Sequence, residues 1–600
     1  MDKKLSAILK KVEKPSRYVG GELCMPVIDD NVRVRYCLCV PEVYEDAFKN
    51  IEAQVIYHML NDRKGYSCER CYAPYLDMAK ELKKEKYPLY SLETKTPLAK
   101  FDVVNFSFEY ELSYTTFLYM LNLAGIPLES KKRGDEFPFI YGSGICMCNP
   151  EPLAEFLDFA VVGDVEDVTI RIVDCITRAK ASKMSKEETL KQIAQIEGVY
   201  VPQNVNINYN IKGVINNIKG NVVKRQIVRD LDRVYFPTKL LLSNVETKYD
   251  CGVIEIMKGA SSSARYYQKG FLSRPIRERR VQSLVSQATA QILNSGENRI
   301  RLSSLTIGDY SKIQELNKLL LPLCENKNVN LGLPKFNIAS VKSDLVGLED
   351  ENTLAFTIEA GSQRLRNIIN KDISVEDINN AFQVAFESGY NNINLYFMIG
   401  LPYENSQDLL SIVDIVLSAR EIYKGIHKSI KGLKINVCIS SFIPKPFTPF
   451  QWSAFVGVEE LKKRQMFLSF AFNKLAIDYK FYSAESSEIE ALLSRGDRRL
   501  CAVLKDAFYN CAVFDKNPKY FNAKAYFDAL NKNNVNAKWY LDKKELTDIL
   551  PWALIDAGIS VDYLKKEYEL AKSGVVTKDC KKGCSNCGLV KWGMCNYGRN

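Results

Sequence analysis

The residues best suited to chemistry are four cysteines in the stretch DCKKGCSNCGLVKWGMC. Cys580, Cys584 and Cys587 have CxxxCxxC spacing and Cys595 follows eight residues later, so four thiols lie within 16 residues. Zinc and iron–sulfur clusters bind thiolates, and neighbouring lysines lower the pKa of a thiol. The spacing predicts a site for one zinc ion or a small iron–sulfur cluster, with a flexible reduced tail as the alternative.

The other candidate ligands are scattered. The sequence has 17 cysteines but only two histidines, His58 and His427, which argues against imidazole catalysis and against a histidine-rich metal site. Cys68 and Cys71 form a CxxC without a second ligand pair nearby. Most other cysteines stand singly among apolar residues, which predicts buried thiols in a reducing compartment.

The composition is that of a globular protein with several domains. Hydrophobic residues make up 46% and charged residues 26% of the 600, and the formal net charge is +10. Lysines and acids alternate, so solvated helix faces account for the charge, with nucleic-acid binding as the weaker alternative. No run of about 18 uncharged apolar residues occurs, and the first residues lack a signal-peptide core. We therefore expect a cytoplasmic protein without membrane contact.

Residues 254–280 combine a strand, a loop and a basic cluster. An apolar run of β-strand type is broken by Gly259, the small-residue loop 260–264 follows, and arginines recur in the segment RPIRERR. Open α/β sheets and β/α barrels place their chemistry in such loops at the carboxyl ends of strands. This loop nevertheless offers no metal ligand, base or nucleophile of obvious strength.

Two long regions alternate strand and helix patterns. Between about residues 33 and 168, runs such as VRVRYCLCV, FDVVNFSF and FPFIYGSG alternate with amphipathic segments, which predicts a doubly wound parallel sheet. Between about 253 and 479 the alternation resumes with RIRLSSL, TLAFTIEAGS and NNINLYFMIGLP, which predicts a partial or complete β/α barrel. Ligands are expected at the carboxyl ends of these strands.

These patterns predict an α/β protein in six parts. They are a leader, a Rossmann-like domain, a connector, a β/α barrel, a helical region and a cysteine-rich tail. Their predicted ranges are 1–30, 31–175, 176–250, 251–480, 481–575 and 576–600. Within the connector, Lys-Gly turns between β-branched residues in NVNINYNIKGVINNIKGNVV predict a hairpin.

The loop and its flanks resemble the cobalamin-binding radical S-adenosylmethionine (SAM) proteins, in particular an uncharacterised bacterial branch associated with a small radical-SAM-linked partner protein. In that branch the loop reads approximately RGCTRGCRFCQAG followed by RPVRER, whereas this chain reads KGASSSARYYQKG followed by RPIRER. The three cluster cysteines therefore fall on Ala260, Ala264 and Tyr267. Alanine has no donor atom and a phenol is a hard oxygen ligand, so we expect no 4Fe–4S cluster at this loop.

The resemblance extends to the first region through GGEL, YELSYT and NPEPLA. It implies a cobalamin-binding-type Rossmann domain whose cobalamin side is formed by Ser107, Glu109, Ser113, Gly142 and Gly144. Where the family reads SHLG, residues 49–52 read KNIE, so Asn50 replaces the histidine that would face cobalt. Retained cobalamin binding and an empty or reshaped cleft are both open alternatives.

The resemblance is densest in the second region, at SSLTIGDYS, EAGSQRLR, LYFMIGLP and PKPFTPFQW. It implies a SAM-side wall formed by Ser304, Glu359, Arg364 and Met398. Two further family histidines are replaced, by Phe447 and Leu554. The basic side chains of Arg265, Lys269 and Arg274 favour an anionic ligand in the space left by the cluster.

The resemblance implies radical chemistry, but a 5′-deoxyadenosyl radical requires a cluster with one iron open to SAM. We therefore expect a radical-SAM-like protein without the normal 4Fe–4S site, acting as a non-radical binding or regulatory subunit. SAM and cobalamin are the implied cofactors, and a radical-SAM-linked protein is the implied partner. The alternative is an atypical cobalamin- or SAM-dependent enzyme, a methyltransferase or a radical enzyme with a tail-held cluster, acting on RNA or protein. Because the family carries both tail and loop cysteines, we expect the tail to be a separate site.

Overall fold

The computed structural model describes residues 2–29, 32–48, 50–247, 251–261, 264–296, 298–332, 338 and 353–595. Lys49, the first residue of the KNIE frame, lies outside these ranges. The described residues form a mixed α/β fold in two halves. None of the helices in these ranges combines the length and the apolarity that crossing a bilayer requires.

The first half is built on a six-stranded sheet. Its strands are β1 (Val34–Val40), β2 (Tyr66–Tyr72), β3 (Val103–Ser107), β4 (Phe139–Ser143), β5 (Phe159–Val161) and β6 (Val199–Tyr200). The order is β2-β1-β3-β4-β5-β6, with β1 to β5 parallel and β6 antiparallel to β5. The predicted doubly wound parallel sheet is confirmed. Its strand order reverses between β1 and β3, where such sheets bind ligands.

Helices cover both faces of this sheet. They are α1 (Lys3–Leu9), α2 (Tyr44–Ala47), α3 (Ile51–Asn61), α4 (Leu76–Lys84), α5 (Tyr114–Leu123), α6 (Glu166–Ala181) and α7 (Lys186–Ile193). Alternate residues of β1 enter different apolar clusters, with Cys37 in one and Leu38 in the other. Both faces of the sheet are therefore buried, as parallel sheets require.

Strand β2 was missed in the sequence because two charged residues interrupt its apolar pattern. Glu69 pairs with Arg35 at 2.8 Å. Arg70 pairs with Glu22 at 2.8 Å and with Glu93 at 2.6 Å. Each charge is neutralised by a residue distant in the sequence, which allows the strand to be buried.

The CxxC of this strand is not a chelating pair. Residues three apart in a strand point to opposite faces of the sheet. Cys68 accordingly enters one apolar cluster and Cys71 the other, and both are buried. These two cysteines are core residues.

The remaining strands form shorter sheets. They are β7 (Asn206–Tyr209), β8 (Ile215–Lys219), β9 (Val223–Lys224), β10 (Gly252–Glu255), β11 (Met257–Lys258), β12 (Arg277–Glu278), β13 (Arg299–Ser303), β14 (Asn330–Gly332), β15 (Thr353–Glu359), β16 (Asn392–Ile399), β17 (Lys434–Ser441), β18 (Asp478–Phe481) and β19 (Ile555–Asp556). Strands β7 and β8 pair antiparallel as a hairpin in the predicted connector. The second half has a parallel sheet β10-β13-β14 and another, β15-β16-β17-β18. Residues 339–352 between them lie outside the described ranges, so the barrel stays a prediction.

The helices of the second half lie between and after these strands. They are α8 (Gln268–Leu272), α9 (Val281–Ser295), α10 (Ile313–Asn326), α11 (Gln363–Ile368), α12 (Val375–Glu387), α13 (Ser406–His427), α14 (Val458–Leu475), α15 (Ala484–Ser494), α16 (Leu500–Tyr509), α17 (Ala523–Lys532), α18 (Ala537–Leu541) and α19 (Val561–Lys572). Buried and half-buried residues alternate along β15, β16 and β17. One face of this sheet is therefore packed on helices while the other is left partly open.

The C-terminal helical region holds the first half in place. Arg498 pairs with Glu151 at 2.8 Å, and Asn149 Nδ2 donates to the carbonyl of Gly496 at 2.9 Å. These contacts join residues about 350 positions apart in the sequence. They fix the geometry of the loops that face the second half.

Candidate functional site

A cavity of about 450 Å³, here called the cleft, lies where loops of the two halves meet. On the first-half side, Glu109, Gly144 and Asp164 line it at the carboxyl ends of β3, β4 and β5. On the second-half side, Lys258 and Ser304 line it just after β10 and β13. The cleft has the position and size of a small-molecule site in an open α/β fold.

Ion pairs across the cleft join the two halves. Lys258 Nζ lies 2.6 Å from Glu166 and 3.4 Å from Asp164, and Arg277 lies 2.5 Å from Asp164. Burial opposes ionisation of Asp164, but Arg277 and Lys258 outweigh it and lower the pKa of this carboxyl. Both acids follow β5, whereas both cations lie on β11 and β12. Ion pairs between acids of the first half and cations of the second half thus close one side of the cleft.

Glu52 lies in the first turn of α3 and lines the cleft at the position where the resembling family reads glycine. Its Oε1 lies 3.5 Å from the hydroxyl of Ser143. Burial, followed by the charges of Glu109 and Glu166, raises the pKa of Glu52 to about 8, while Lys258 acts in the opposite direction. The surroundings of Glu52 therefore disfavour its charged form.

Two of the five residues predicted for the cobalamin side line the cleft. Glu109 and Gly144 line the cleft, where Glu109 accepts a hydrogen bond from Lys269 at 2.9 Å. Ser107 is buried, and its hydroxyl has no hydrogen-bond partner among the described residues. Ser113 lines a second cavity of about 280 Å³ beside the C-terminal helical region.

The two glycines of this set are required by the fold itself. A Cβ on Gly142 would lie 2.6 Å from Met147 Sδ. Gly144 has a φ of +93°, and a Cβ there would lie 2.5 Å from the carbonyl oxygen of Phe108. Packing and backbone conformation thus explain both glycines without a bound cofactor.

The cleft does not fit a histidine-coordinated cobalamin. Asn50 replaces the family histidine, and its Oδ1 accepts from Ala53 N at 3.0 Å, which caps α3. His58 is buried in the same helix, where burial lowers its pKa to about 4. Phe447 and Leu554, at two other family histidine positions, pack with the apolar core.

The loop residues that replace the cluster cysteines do not fit a cluster held by three thiolates. Ala260 is buried and Ala264 is half-buried, while Tyr267 is 39% exposed at the start of α8. Between them, Ser261 donates to Asp309 from its backbone N at 2.9 Å and from its hydroxyl at 2.8 Å. The loop is thus fixed by protein hydrogen bonds, and methyl and phenol groups occupy the ligand positions.

Two basic side chains expected to attract an anion at this loop have protein partners instead. Arg265 is fully buried, with its Nε 3.0 Å from Glu567 and another nitrogen 2.8 Å from the carbonyl of Val575. Lys269 is paired with Glu109 across the cleft. The expectation of a free anion site was wrong for these two, because long-range folding supplies their acceptors.

The cysteine tail packs directly against the loop. Cys580 N donates to the carbonyl of Ser261 at 3.3 Å, and the Ser261 hydroxyl lies against the carboxylate of Asp579 as well as that of Asp309. Asn370 and Thr577 exchange two hydrogen bonds, at 2.8 and 3.3 Å. The tail was expected to be a separate site, whereas the structure places it in contact with the loop.

Two of the tail thiols, Cys580 and Cys587, lie near Arg274. Burial raises the pKa of Cys580, with Arg274 acting against it and with Cys587 and Cys595 close enough to contribute. Cys587 is buried, whereas Cys584 is exposed. Throughout the described ranges, no three His, Cys, Asp or Glu side chains are arranged to hold a metal ion. The zinc or iron–sulfur site of the tail therefore stays a prediction.

Purified protein is expected to contain about one zinc ion or one small cluster per chain, bound through the tail thiolates. Changing Cys580→Ala together with Cys587→Ala should abolish this metal content, because two of four ligands are lost. Cys511→Ala, which removes an exposed thiol outside the tail, should leave it unchanged. Metal analysis of wild type, the tail variant and Cys511→Ala measures the stoichiometry. An unchanged stoichiometry in the tail variant would refute the assignment.

The four residues predicted for a SAM-side wall do not share one cavity. Ser304 lines the cleft, and its hydroxyl lacks a hydrogen-bond partner in the described part of the chain. Arg364 pairs with Asp408 and donates to the carbonyl of Tyr403 at 2.9 Å. Met398 packs against a different apolar cluster. Of these three residues, only Ser304 lines the cleft.

Glu359, the fourth of these residues, has a strained backbone. It has a φ of +72° beside a β-bulge at the end of β15. Burial, followed by the charge and hydrogen bond of Glu359, raises the pKa of Tyr266. A left-handed conformation costs a residue other than glycine on the order of 1–3 kcal/mol, and such outliers cluster at functional sites.

Sequence reasoning missed most of the residues that dominate the cleft. They are Glu52, Asp164, Glu166, Lys258 and Arg277. The acids of GDVED directly follow a predicted strand, which is the signal that could have placed them at a sheet edge. Their cationic partners could not be found in this way, because they come from the other half of the chain.

Residues 52–202 match a family model described as radical SAM proteins, N-terminal. The match runs from the first turn of α3 to just beyond β6 and includes the first-half wall of the cleft. This segment of the chain is therefore similar to the N-terminal region of radical SAM proteins.

Two kinds of relative were found. The chain is 26% identical over 437 residues to the uncharacterized protein MJ0966 of Methanocaldococcus jannaschii, covering 72% of this chain and 84% of that protein. Among solved structures it is similar to the radical SAM methyltransferase TsrM from Kitasatospora setae, with cobalamin and a [4Fe-4S] cluster bound (TM-score 0.45, 11% identity, 72% of this chain and 78% of that one). It is also similar to the cobalamin-dependent SAM radical enzyme OxsB, with aqua-cobalamin and SAM bound (TM-score 0.44, 12% identity, 90% and 79%). These ligands are those of the solved proteins.

Proposed function

We propose that this is a radical-SAM-type protein without the loop cluster, which binds a small charged molecule in the cleft and acts as a binding or regulatory subunit. The observation that carries the proposal is the chemistry of the loop. Ala260, Ala264 and Tyr267 offer two methyl groups and a phenol where radical SAM chemistry needs three thiolates. The cleft, by contrast, keeps a ligand-sized volume and charged walls.

The proposal keeps the cytoplasmic location and the radical-SAM-linked partner that the sequence suggested. A binding subunit acts through another protein, so a partner is part of this function. The six domain ranges are retained, with one adjustment: β6 extends the first sheet beyond residue 175.

SAM is expected to bind weakly and without reductive cleavage. In the resembling family the open iron anchors the amino and carboxylate groups of SAM, and losing such a chelating contact costs several kcal/mol. Each 1.4 kcal/mol is about tenfold in affinity, so micromolar binding becomes roughly millimolar. Calorimetry with SAM, S-adenosylhomocysteine and cobalamin should accordingly show weak or absent binding. Tight SAM binding with release of 5′-deoxyadenosine under dithionite would contradict the proposal.

A second candidate is an enzyme, a methyltransferase or a radical enzyme acting on RNA or protein, whose cluster is held by the tail. The contact between Cys580 and Ser261 favours it, because it brings the CxxxCxxC of the tail beside the loop that lacks those cysteines. The exposed position of Cys584 means that the tail must rearrange before three thiolates meet one cluster. Reconstitution of tail variants separates the two candidates.

A further inference from the structure

We propose that the Glu52 end of the cleft is a subsite for a positively charged organic group, an ammonium or a sulfonium, of the bound small molecule. The inference rests on the proposed function, since it assumes that the cleft binds a ligand. It specifies what that ligand must carry and which residue of this chain recognises it.

Three separate segments bring carboxylates to this end of the cleft. Glu52 comes from the first turn of α3, Glu109 follows β3, and Asp164 and Glu166 follow β5. All four line the same cavity, although they are up to 114 residues apart in the sequence. Their convergence is therefore a property of the folded cleft.

The cations at this end are paired with acids other than Glu52. Lys258 pairs with Glu166 and Asp164, Arg277 pairs with Asp164, and Lys269 pairs with Glu109. Glu52 also faces the neutral Ser143 hydroxyl and the neutral Tyr141 phenol. These cations balance the three neighbouring carboxylates, so an ionised Glu52 adds a negative charge without a cation of its own among the described residues.

Four other charged residues line the same cleft. Arg277 pairs with Asp164, and Arg279 lies 3.7 Å from Glu255. Arg225 donates to main-chain carbonyls at 3.0 and 2.7 Å. These arginines thus have partners other than Glu52.

One carboxylate oxygen at this end has no donor. Glu166 is 5% exposed, and its Oε1 accepts from Lys258 at 2.6 Å. Its Oε2 is buried without a hydrogen-bond partner among the residues described. A buried carboxylate oxygen without a donor is costly, so an incoming ammonium or polarised sulfonium methyl group adds an interaction that the free protein lacks.

The proton on Glu52 explains how the free protein tolerates this arrangement. With a pKa raised to about 8 by burial and by Glu109 and Glu166, Glu52 stays neutral and limits the repulsion. A bound cation offsets the repulsion between Glu52 and the neighbouring carboxylates, so Glu52 loses its proton when the ligand binds. By linkage, affinity for a cation must rise with pH up to about pH 8 and then level off.

The test uses three probes that differ in charge: SAM with ammonium and sulfonium groups, S-adenosylhomocysteine with the ammonium group alone, and neutral 5′-methylthioadenosine. Ligand-observed NMR titration, which measures millimolar affinities, is run from pH 6.5 to 8.5. For wild type, affinity for at least one charged probe should rise several-fold up to about pH 8, whereas affinity for 5′-methylthioadenosine should stay constant. In Glu52→Gln the charged probes should bind about tenfold more weakly at pH 8, with no pH dependence. The difference in affinity between SAM and S-adenosylhomocysteine shows whether the subsite binds the ammonium or the sulfonium group.

Glu488→Gln is the matched control, because Glu488 is a partly buried glutamate outside the cleft whose pKa is also raised by burial. It should behave as wild type. If all three probes bind wild type equally and without pH dependence, the subsite is refuted while the proposed function stands. If none binds, the subsite is refuted while the proposed function stands, because that proposal expects weak or absent binding of SAM and S-adenosylhomocysteine. Should Glu52→Gln fail to fold, the wild-type pH profile alone still decides, since a flat profile overturns the inference.

Discussion

Anaerobic reconstitution of the variant Cys580→Ala, Cys584→Ala, Cys587→Ala with iron and sulfide is expected to give no 4Fe–4S absorption and no reduced-state EPR signal. With three of the four tail thiols removed, the positions of the resembling family's cluster cysteines are still occupied by Ala260, Ala264 and Tyr267. Iron–sulfur clusters are held by thiolates, and neither a methyl group nor a phenol replaces three of them. The expected effect is all or none.

The same reconstitution of wild type separates the two candidate functions. A cluster in wild type that is absent from the triple variant would show that the tail holds it, which favours the enzyme candidate. Absence from both proteins would leave the binding subunit as the better candidate. Cys511→Ala controls for the loss of an exposed thiol elsewhere. A cluster signal that survives in the triple variant would overturn our account of the loop.

Arg265→Met is expected to lower the free energy of unfolding by about 3–5 kcal/mol. Arg265 is fully buried and bonds to Glu567 at 3.0 Å, to the carbonyl of Ile368 at 2.9 Å and to that of Val575 at 2.8 Å. Its loss leaves Glu567, which is 1% exposed, without a cation partner among the described residues, although the Thr577 hydroxyl still donates to it. Denaturant unfolding measures the effect.

The same variant tests how the tail is held. Because Arg265 bonds to the segment that leads into the tail, Arg265→Met should also speed the reaction of Cys580 with a thiol reagent. Arg233→Met is the matched control, since Arg233 is 84% exposed and pairs only with nearby Asp230, so it should change stability by less than about 1 kcal/mol. Adding Glu567→Leu to Arg265→Met should recover part of the loss. Equal stability of the Arg265 and Arg233 variants would contradict this role.

The sequence by itself determined the local parts of this protein. Apolar patterns located β1, β3, β4, β10, β13, β15 and β16, because burial of one or both faces leaves a period that short segments record. The spacing of the tail cysteines was also visible without coordinates. These features depend on residue type and near-neighbour spacing, whereas the replacement of cluster thiolates by Ala260, Ala264 and Tyr267 was inferred from the family resemblance.

Long-range pairing was decided only by the tertiary structure. Strand β2 was missed because Glu69 and Arg70 are neutralised by residues 23 to 48 positions away. The contact of Cys580 with Ser261 joins segments 319 residues apart, and no local pattern records it.

The pKa of Glu52 in the cleft is a further property that the sequence alone did not predict. Glu52 reads in the sequence as an ordinary first-turn glutamate of a helix, a position that favours an ionised acid. In the fold, burial in the cleft, followed by the charges of Glu109 and Glu166, raises its pKa instead. Electrostatic energies depend on distance and on exposure to water, and both are set by which segments the fold brings together.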